Sequence, residues 1–394
     1  MIRFTSLFSQ LLGLFNRSDF HKAVRELKSD RYVKRFSSWD QFVSMLFCQL
    51  AQAKSLREIC GGLACCVGKL RHVGVMTRPN KSTLSHANAH RPWHLYQTLF
   101  FQLLSKCQAI APGKKFRFRN KLLSLDATVI DLCLSMFPWA KFRTTKGAVK
   151  LHLLLDHDGY LPVFANITTG KVHEVKIAHA LVLPKGSIVA IDRGFNDYRL
   201  FAKWCRQGVY FVTRMKEGAA FEIVEHREVP QNRNIIMDNI VKLTGFYSAK
   251  NCPFLLRHVV VHDPEKNEDI VLLTNHLEFG ASTISAIYRD RWEIEIFFRT
   301  IKQNLKIKTF VGTTENALRI QIWTALIAIL LIKYLQFKSK LGWSLSNLVA
   351  LLRWNLFTYR NLWEWIDDPF KTPPIEPQPE QLTLNIKSVG QHRP

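Results

Sequence analysis

Acidic residues are scarce in this sequence. Across 394 residues only 31 Asp and Glu stand against 55 Lys and Arg, a formal net charge of +24. A bias of that size excludes an ordinary enzyme of small-molecule metabolism and points to a polyanionic partner, either nucleic acid or an anionic membrane surface. Paired cysteines are missing as well. The eight cysteines are scattered and form no CxxC pair, which excludes a disulfide framework and implies a reducing compartment. Cys60, Cys65 and Cys66 cluster, but no second Cys or His pair follows at zinc-finger spacing, so they are read as helix-packing thiols. The longest apolar run, Ile322 to Ile332, is interrupted by Thr324 and falls short of the roughly 18 residues that span a bilayer. The N-terminal apolar residues from Phe4 to Phe15 are spaced like one helix face and broken by Ser6, Ser9 and Gln10, unlike a signal peptide. A cytoplasmic, nucleoid-associated protein with no membrane partner is expected. Phosphate-binding and dinucleotide loops and the GxSxG elbow are absent too, which disfavours nucleotide hydrolysis and acyl transfer.

What is present is enough apolar material for a core, at 47% hydrophobic and 22% charged residues, and a length that suggests two or three domains. The charge is unevenly placed. Residues 1–120 carry 20 basic and 5 acidic side chains, residues 296–394 carry 13 and 6, and residues 121–295 carry 22 and 20. Basic flanks bracket a nearly neutral middle.

The first flank reads as helical, with three- and four-residue apolar spacing over Trp39 to Leu50 and Trp93 to Leu104. Ser55 and Asn80 each open a candidate helix. The pair is compatible with a helix-turn-helix that enters a major groove, and equally with a basic helical domain that reads no bases. The middle changes period. Short β-rich runs, Lys121 to Asp126, Val149 to Asp156, Leu161 to Thr169 and Ser187 to Asp192, alternate with helical patterns at about 173–182 and 197–206. A second β-rich series, from Val209 to Asn275, has no helix between its strands and predicts an insertion. One helix is expected over Thr283 to Leu305, and two more at about 314–338 and 344–364. The prolines after Asp368 predict an irregular tail.

The Thr283 to Leu305 segment carries the most chemistry. On one helix Tyr288, Arg291, Glu295 and Lys302 share a stripe about 60° wide, beside a core-facing row of Ile287, Ile294, Phe297, Phe298, Ile301 and Leu305. A carboxylate on that edge is held rigidly yet reaches solvent. Glu293 points elsewhere. The bland alternative is a solvated i, i+4 ion pair between Arg291 and Glu295. Two aspartates tip the balance, because Asp126 and Asp192 each end a β-rich run, at the sheet rim where α/β proteins place their sites. Together with Glu295 they form an all-oxygen anionic set suited to Mg²⁺ or Mn²⁺. Two such ions activate a water or a 3′ hydroxyl against a phosphodiester, and Arg291 and Lys302 would bind phosphate and offset transition-state charge. Asp131 is expected on the opposite strand face, Asp156 and Asp158 in a turn, and Asp197 at a helix cap. His152, His157, His173 and His179 are read as structural.

The spacing Tyr288-x2-Arg291-x3-Glu295-x6-Lys302 resembles the YREK signature of IS4-family DDE transposases. Asp192-Arg193-Gly194-Phe195 and Leu123 to Thr128 resemble that family's two aspartate blocks, while His173-Glu174 departs from the His-Asp of many relatives. The resemblance implies an α/β chain with an RNase H-like catalytic core over 116–312. A β insertion would lie at about 215–278, a helical DNA-binding domain at 1–115, a C-terminal helical region at 313–368 and a Pro-rich tail at 369–394. It implies metal binding and catalysis by Asp126, Asp192 and Glu295, with Tyr288, Arg291 and Lys302 gripping DNA. Trp292 either stacks on an extruded base or packs under the insertion. The implied activity is cleavage at the terminal inverted repeats of an insertion sequence and joining of the 3′ ends to target DNA, by a homodimer holding paired ends. A catalytically inactive or domesticated DNA-binding repressor and a host RNase H-like nuclease are the alternatives.

Overall fold

Leu122 to Leu125 and Ile188 to Ile191 are almost wholly apolar, as strands covered on both faces require. In the computed structural model they pair in parallel in the interior of a nine-stranded sheet. The structure describes residues 5–66, 70–113, 115–144, 146–231, 233–305, 307 and 309–371. The expected tail lies outside the described residues from 372 onward.

Six helices lead in: α1 (Leu7–Leu12), α2 (Arg17–Glu26), α3 (Ser38–Leu50), α4 (Leu56–Ala64), α5 (Lys81–His90) and α6 (His94–Gln108). Ser55 and Asn80 cap α4 and α5 as their sequence suggests, each side chain accepting a backbone N–H. The connection between these two helices runs over residues 65–80 and includes a 3₁₀ turn, Leu70–Val73. That is far longer than the three- or four-residue turn of a compact helix-turn-helix.

The sheet opens with β1 (Leu122–Leu132), β2 (Gly147–Asp156) and β3 (Leu161–Thr169), followed by α7 (Glu174–Ala180), β4 (Ile188–Ile191), α8 (Tyr198–Gln207) and β5 (Tyr210–Arg214). Its order β3-β2-β1-β4-β5, with two antiparallel and two parallel pairings, is the RNase H-like core that was expected. The inserted strands β6 (Phe221–His226), β7 (Ile235–Leu243), β8 (Leu256–Asp263) and β9 (Glu268–Thr274) follow, with the unforeseen α9 (Phe246–Asn251) between β7 and β8. They form no separate body. β9 pairs antiparallel with β5, so the insertion extends the core sheet in the order β5-β9-β8-β7-β6. A buried bidentate ion pair locks it in place: Arg257 of β8 donates to both Asp238 carboxylate oxygens at 2.8 and 2.6 Å, and also to the carbonyl of Phe279 just before the next helix.

That helix is α10 (Ala281–Asp290), followed by α11 (Glu293–Asn304), α12 (Glu315–Lys338), α13 (Leu345–Asn355) and α14 (Leu362–Asp367). The single helix expected at 344–364 is therefore two. α12 is apolar on all sides, and by length and composition it could cross a membrane, but 89% of that stretch is buried inside the protein. α3, α5 and α6 pack on it, and its side chains join those of α3, α6, α11 and the β1–β3 face in one buried cluster. The backbone N–H groups of Leu7 and Phe8 donate to the carbonyls of Thr358 and Leu356. The N-terminal helices, the sheet and the C-terminal helices thus share one core.

Asp238→Asn would leave Arg257 as an uncompensated buried charge, so it is expected to lower unfolding free energy by about 3–5 kcal/mol. Urea denaturation checks this, and a loss well under 1 kcal/mol would contradict it.

Candidate active site

Parallel pairing of β1 with β4 stops at Leu125 opposite Ile191. Asp126 and Asp192 are the next residues of their chains and come side by side at the C-terminal end of β4. Asp126 is not the end of its strand, as the sequence suggested. β1 continues to Leu132 along β2, and what ends there is the parallel ladder. Strand alternation puts Leu122, Ser124 and Asp126 on one face, with Ile188, Ala190 and then Asp192 beside them. Leu122, Ile188, Ala190 and Val212 on that face pack against Ile284 and Ile287 of α10. Both aspartates therefore point to the side where α10 and α11 lie. Asp192 is exposed and caps a 3₁₀ turn, Arg193–Phe195, without a side-chain bond to it.

The expected continuous helix is two helices joined by a tightened turn. Trp292, Ile294 and Glu295 donate to carbonyls three residues back, which is 3₁₀ rather than α spacing. The polar stripe survives this change. Arg291 Nη2 donates to Glu295 Oε1 at 2.9 Å, and the guanidinium carbon lies 5.5 Å from the Tyr288 ring centroid. Lys302 reaches back to β1, donating to Thr128 Oγ1 and to the Val129 carbonyl at 3.2 Å. Asp126, Thr128, Glu295, Arg299 and Lys302 line an open cavity of about 390 Å³. Glu293 faces a different cavity, with Lys115 and Lys333.

Electrostatics shows how the carboxylates are coupled. Burial pushes the Asp126 carboxyl up to about 7. The Ala127 N–H, which donates to it at 2.7 Å, and Arg291 pull it down, while Glu295 and Asp192 push it up again. Negative charge at this point is under-compensated. The donors are all carboxylate oxygens, a set that suits a hard divalent cation. Among the described residues no three His, Cys, Asp or Glu side chains are gathered closely enough to hold an ion as they stand. The reason is visible: Glu295 is turned onto Arg291, the partner of the bland ion-pair reading. The arginine end of that pair is withdrawn from solvent, since the Arg291 side chain is 10% exposed and its Nε is buried without a hydrogen-bond partner, while Glu295 still reaches the cavity.

Beneath the site lies a buried polar chain. Ser124 Oγ is 2.7 Å from His157 Nε2, and His157 Nδ1 is 2.5 Å from Asp290 Oδ2. Lys115 bonds the other Asp290 oxygen. It has the residue types of a hydrolytic triad, but Ser124 is wholly buried, so no substrate reaches it. Its effect is to tie the end of α10 to β1 two residues before Asp126.

The structure brings Asp126, Asp192, Glu295, Tyr288, Arg291 and Lys302 to one rim. Trp292 is 47% exposed, so it does not pack under the insertion. Asp131 is exposed on the far face, Asp156 and Asp158 frame the β2–β3 turn, and Asp197 caps α8. His152 bonds Thr168, and His179 bonds Asp197. Sequence reasoning missed Arg214, whose guanidinium carbon lies 5.9 Å from the Tyr288 ring centroid. It ends β5, the third parallel strand, so the rule that found the two aspartates also reaches it. Thr128 gave no signal, because its role depends on where Lys302 lands.

The chain is similar to known proteins. The family described as "Transposase DDE domain" matches residues 117–331, and a domain of unknown function matches residues 4–76. A Sinorhizobium fredii protein named as a transposase is 29% identical over 303 residues, 76% of this chain and 82% of its own length. A Geobacillus stearothermophilus protein named as the transposase of insertion sequence element IS5377 is 30% identical over 268 residues, 67% of this chain and 70% of its own length. The transposase of insertion sequence element IS4 from Escherichia coli is 24% identical over 203 residues, 48% of this chain and 44% of its own.

The buried chain has a pH consequence. Burial alone would raise the Asp290 carboxyl, but hydrogen bonds from His157 and Lys115 outweigh it and hold the group below its usual range. A depressed folded-state value stabilises the fold above the unfolded value of about 3.9. That contribution is lost as pH falls through the folded value. Asp290→Asn is expected to lower Tm at pH 7 and to flatten the acid side of a Tm-against-pH profile. An unchanged profile would contradict the role given to Asp290.

Proposed function

The chain belongs to the DDE transposase family, as an IS4-family enzyme that cleaves DNA and transfers strands, and on that premise we propose that Asp126, Asp192 and Glu295 are its catalytic carboxylates. DDE transposase domains depend on divalent metal. We infer Mg²⁺, with Mn²⁺ as a substitute, from the all-oxygen donor set. Bound there, the metal would activate a water or 3′ hydroxyl and stabilise the leaving oxygen of a phosphodiester.

The chain's own groups supply the rest. Asp126 and Asp192 offer oxygens from the sheet rim, and Glu295 would complete the set on turning from Arg291. Arg291 then presents a guanidinium to a phosphate, a task for which its planar donor fork is suited. Lys302, already anchored on Thr128, adds a second cation on the same side, and Tyr288 packs under Arg291 and orients it. Trp292 offers an exposed ring on which a base displaced from the duplex would stack.

The substrate would be the terminal inverted repeats of an insertion sequence, nicked hydrolytically and then joined through their 3′ ends to target DNA in the cytoplasm. Two copies of the chain would bring two ends together. The observation that carries this reading is the register: the parallel ladder ends where two carboxylates meet a helix carrying a third, with Arg291 between them.

Purified protein incubated with Mg²⁺ and terminal-repeat DNA is expected to nick at the repeat ends. Glu295→Gln and Asp126→Asn should each slow this by at least about a hundredfold, roughly 2.7 kcal/mol of transition-state stabilisation. Either variant cutting as fast as wild type overturns the assignment. Specific binding of the ends by wild type without metal-dependent nicking would mark a DNA-binding protein instead, and cutting without any need for paired ends a plain nuclease.

Trp292→Ala is expected to leave duplex binding intact and to lose affinity for repeat ends carrying an unpaired terminal base, by about 1–3 kcal/mol per stacked base. Fluorescence anisotropy on the two substrates separates these outcomes.

A further inference from the structure

Far from the carboxylates in sequence, a cleft of about 810 Å³ opens between residues 28–36 and α5. Lys28, Arg31, Lys34 and Arg35 line one wall, Arg78 lies at the approach to α5, and all five are exposed. None of the five has a carboxylate within ion-pair distance among the described residues, whereas Arg91 at the base of the same cleft does. The nearby acid, Asp30, is occupied. It accepts from the Ser38 N–H and hydroxyl at 2.8 and 2.7 Å, and lies 3.7 Å from Arg91. A concave surface that gathers five cations and neutralises its own carboxylate repels itself, and is relieved only when a polyanion enters.

The cleft is also built rigidly. Arg91, just past α5, donates to the carbonyls of Phe36 and Ser37, which joins the two walls. Gln41 of α3 donates to Asn88 of α5 at 2.8 Å, and Asn316 of α12 donates to the carbonyls of Asn88 and Arg91. Lys28 and Tyr32 sit at φ 50° and 63°, a left-handed backbone uncommon for non-glycine residues. That backbone projects Tyr32 outward, 85% exposed, with the Arg31 guanidinium over its ring at 4.9 Å. α5 buries Leu84, Ala87 and Asn88 and turns Lys81, Ser82, Ser85 and His86 to solvent, without one acidic residue in its ten. Hydrogen-bonding side chains on an exposed, acid-free helix beside a cationic wall are the components of a duplex-binding face: cations for phosphates, a polar helix for a groove.

We propose that this cleft is a docking site for double-stranded DNA, with Arg31, Lys34, Arg35 and Arg78 on the phosphates of the duplex and the exposed face of α5 against its groove. The proposal rests on the reading of the chain as a transposase and places end recognition at a surface separate from the carboxylate rim. Because α5 and α12 are joined through Asn316, the bound duplex is held in fixed relation to the helix layer that packs on the catalytic sheet.

The full-length triple variant Arg31→Ala, Lys34→Ala, Arg35→Ala tests it. The three side chains are exposed and make no ion pair, so circular dichroism and Tm should match wild type. With a terminal-repeat duplex in a salt series, affinity should fall at least tenfold at 100 mM salt. The slope of log K against log salt should shrink by about 0.9 per lost phosphate contact. Unchanged affinity and slope overturn the cleft. Polyglutamate of matched charge competing as well as DNA overturns the assignment to duplex. The transposase reading is read out independently: wild type that binds through the cleft yet never nicks defeats that reading and leaves the cleft standing. Wild type that nicks, with a triple variant that binds normally, does the reverse.

Discussion

The parallel ladder between β1 and β4 is the constraint on which the rest of the molecule depends. Only four residue pairs long, it fixes the register of two strands buried on both faces. A one-residue slip would move every side chain of the slipped strand to the opposite face. Such a slip would also send Asp126 and Asp192 to opposite sides of the sheet. The same ladder sets the height at which α10 packs, through Ile284 and Ile287 on the even-numbered face of β1 and β4. Arg291 and Glu295 follow from there, so backbone hydrogen bonds and apolar packing bring three carboxylates and a guanidinium together before Arg291 pairs with Glu295.

Close-set negative charge is costly, and the fold offsets it in layers. Arg291 lies nearest, pairing with Glu295 and lowering Asp126. Below it, Asp290 adds a further buried negative charge, but that one is met by Lys115 and bonded to His157. Farther along the sheet Arg257 satisfies Asp238 and pins the chain leading into α10. The residual imbalance is left at the rim, where an incoming cation can settle it. The near-neutral charge of residues 121–295 is the sequence-level trace of this arrangement, and the basic flanks supply the counterpart surface for a polyanion.

α12 explains why the N-terminal helices, the β1–β3 face and the C-terminal helices share one core where the sequence suggested separate domains. A helix apolar on every side must be covered on every side. Its covers come from the N-terminal helices, the β1–β3 face and α13 together. The N-terminal helices are therefore structural partners of the catalytic sheet as well as carriers of positive charge. Removing them would expose α12, and only point substitutions can separate the effect of their charge from their packing role.

Local pattern alone located most strands and helices, because two-residue and 3.6-residue apolar periods report directly which face of an element is buried. It also located Asp126, Asp192 and the Tyr288-to-Lys302 stripe, because strand ends and helix faces are short-range properties. It read α10 and α11 as one helix, since both sides of the Arg291 turn keep helical spacing and nothing local marks a change from α to 3₁₀ bonding. It took Asp126 for a strand end, when the strand continues and only its parallel neighbour stops. Arg214 beside Tyr288, Thr128 under Lys302, the Ser124–His157–Asp290 chain and the cleft at residues 28–36 join residues from 33 to 174 positions apart. Such contacts depend on register and packing across the whole sheet, information that no window of neighbouring residues contains.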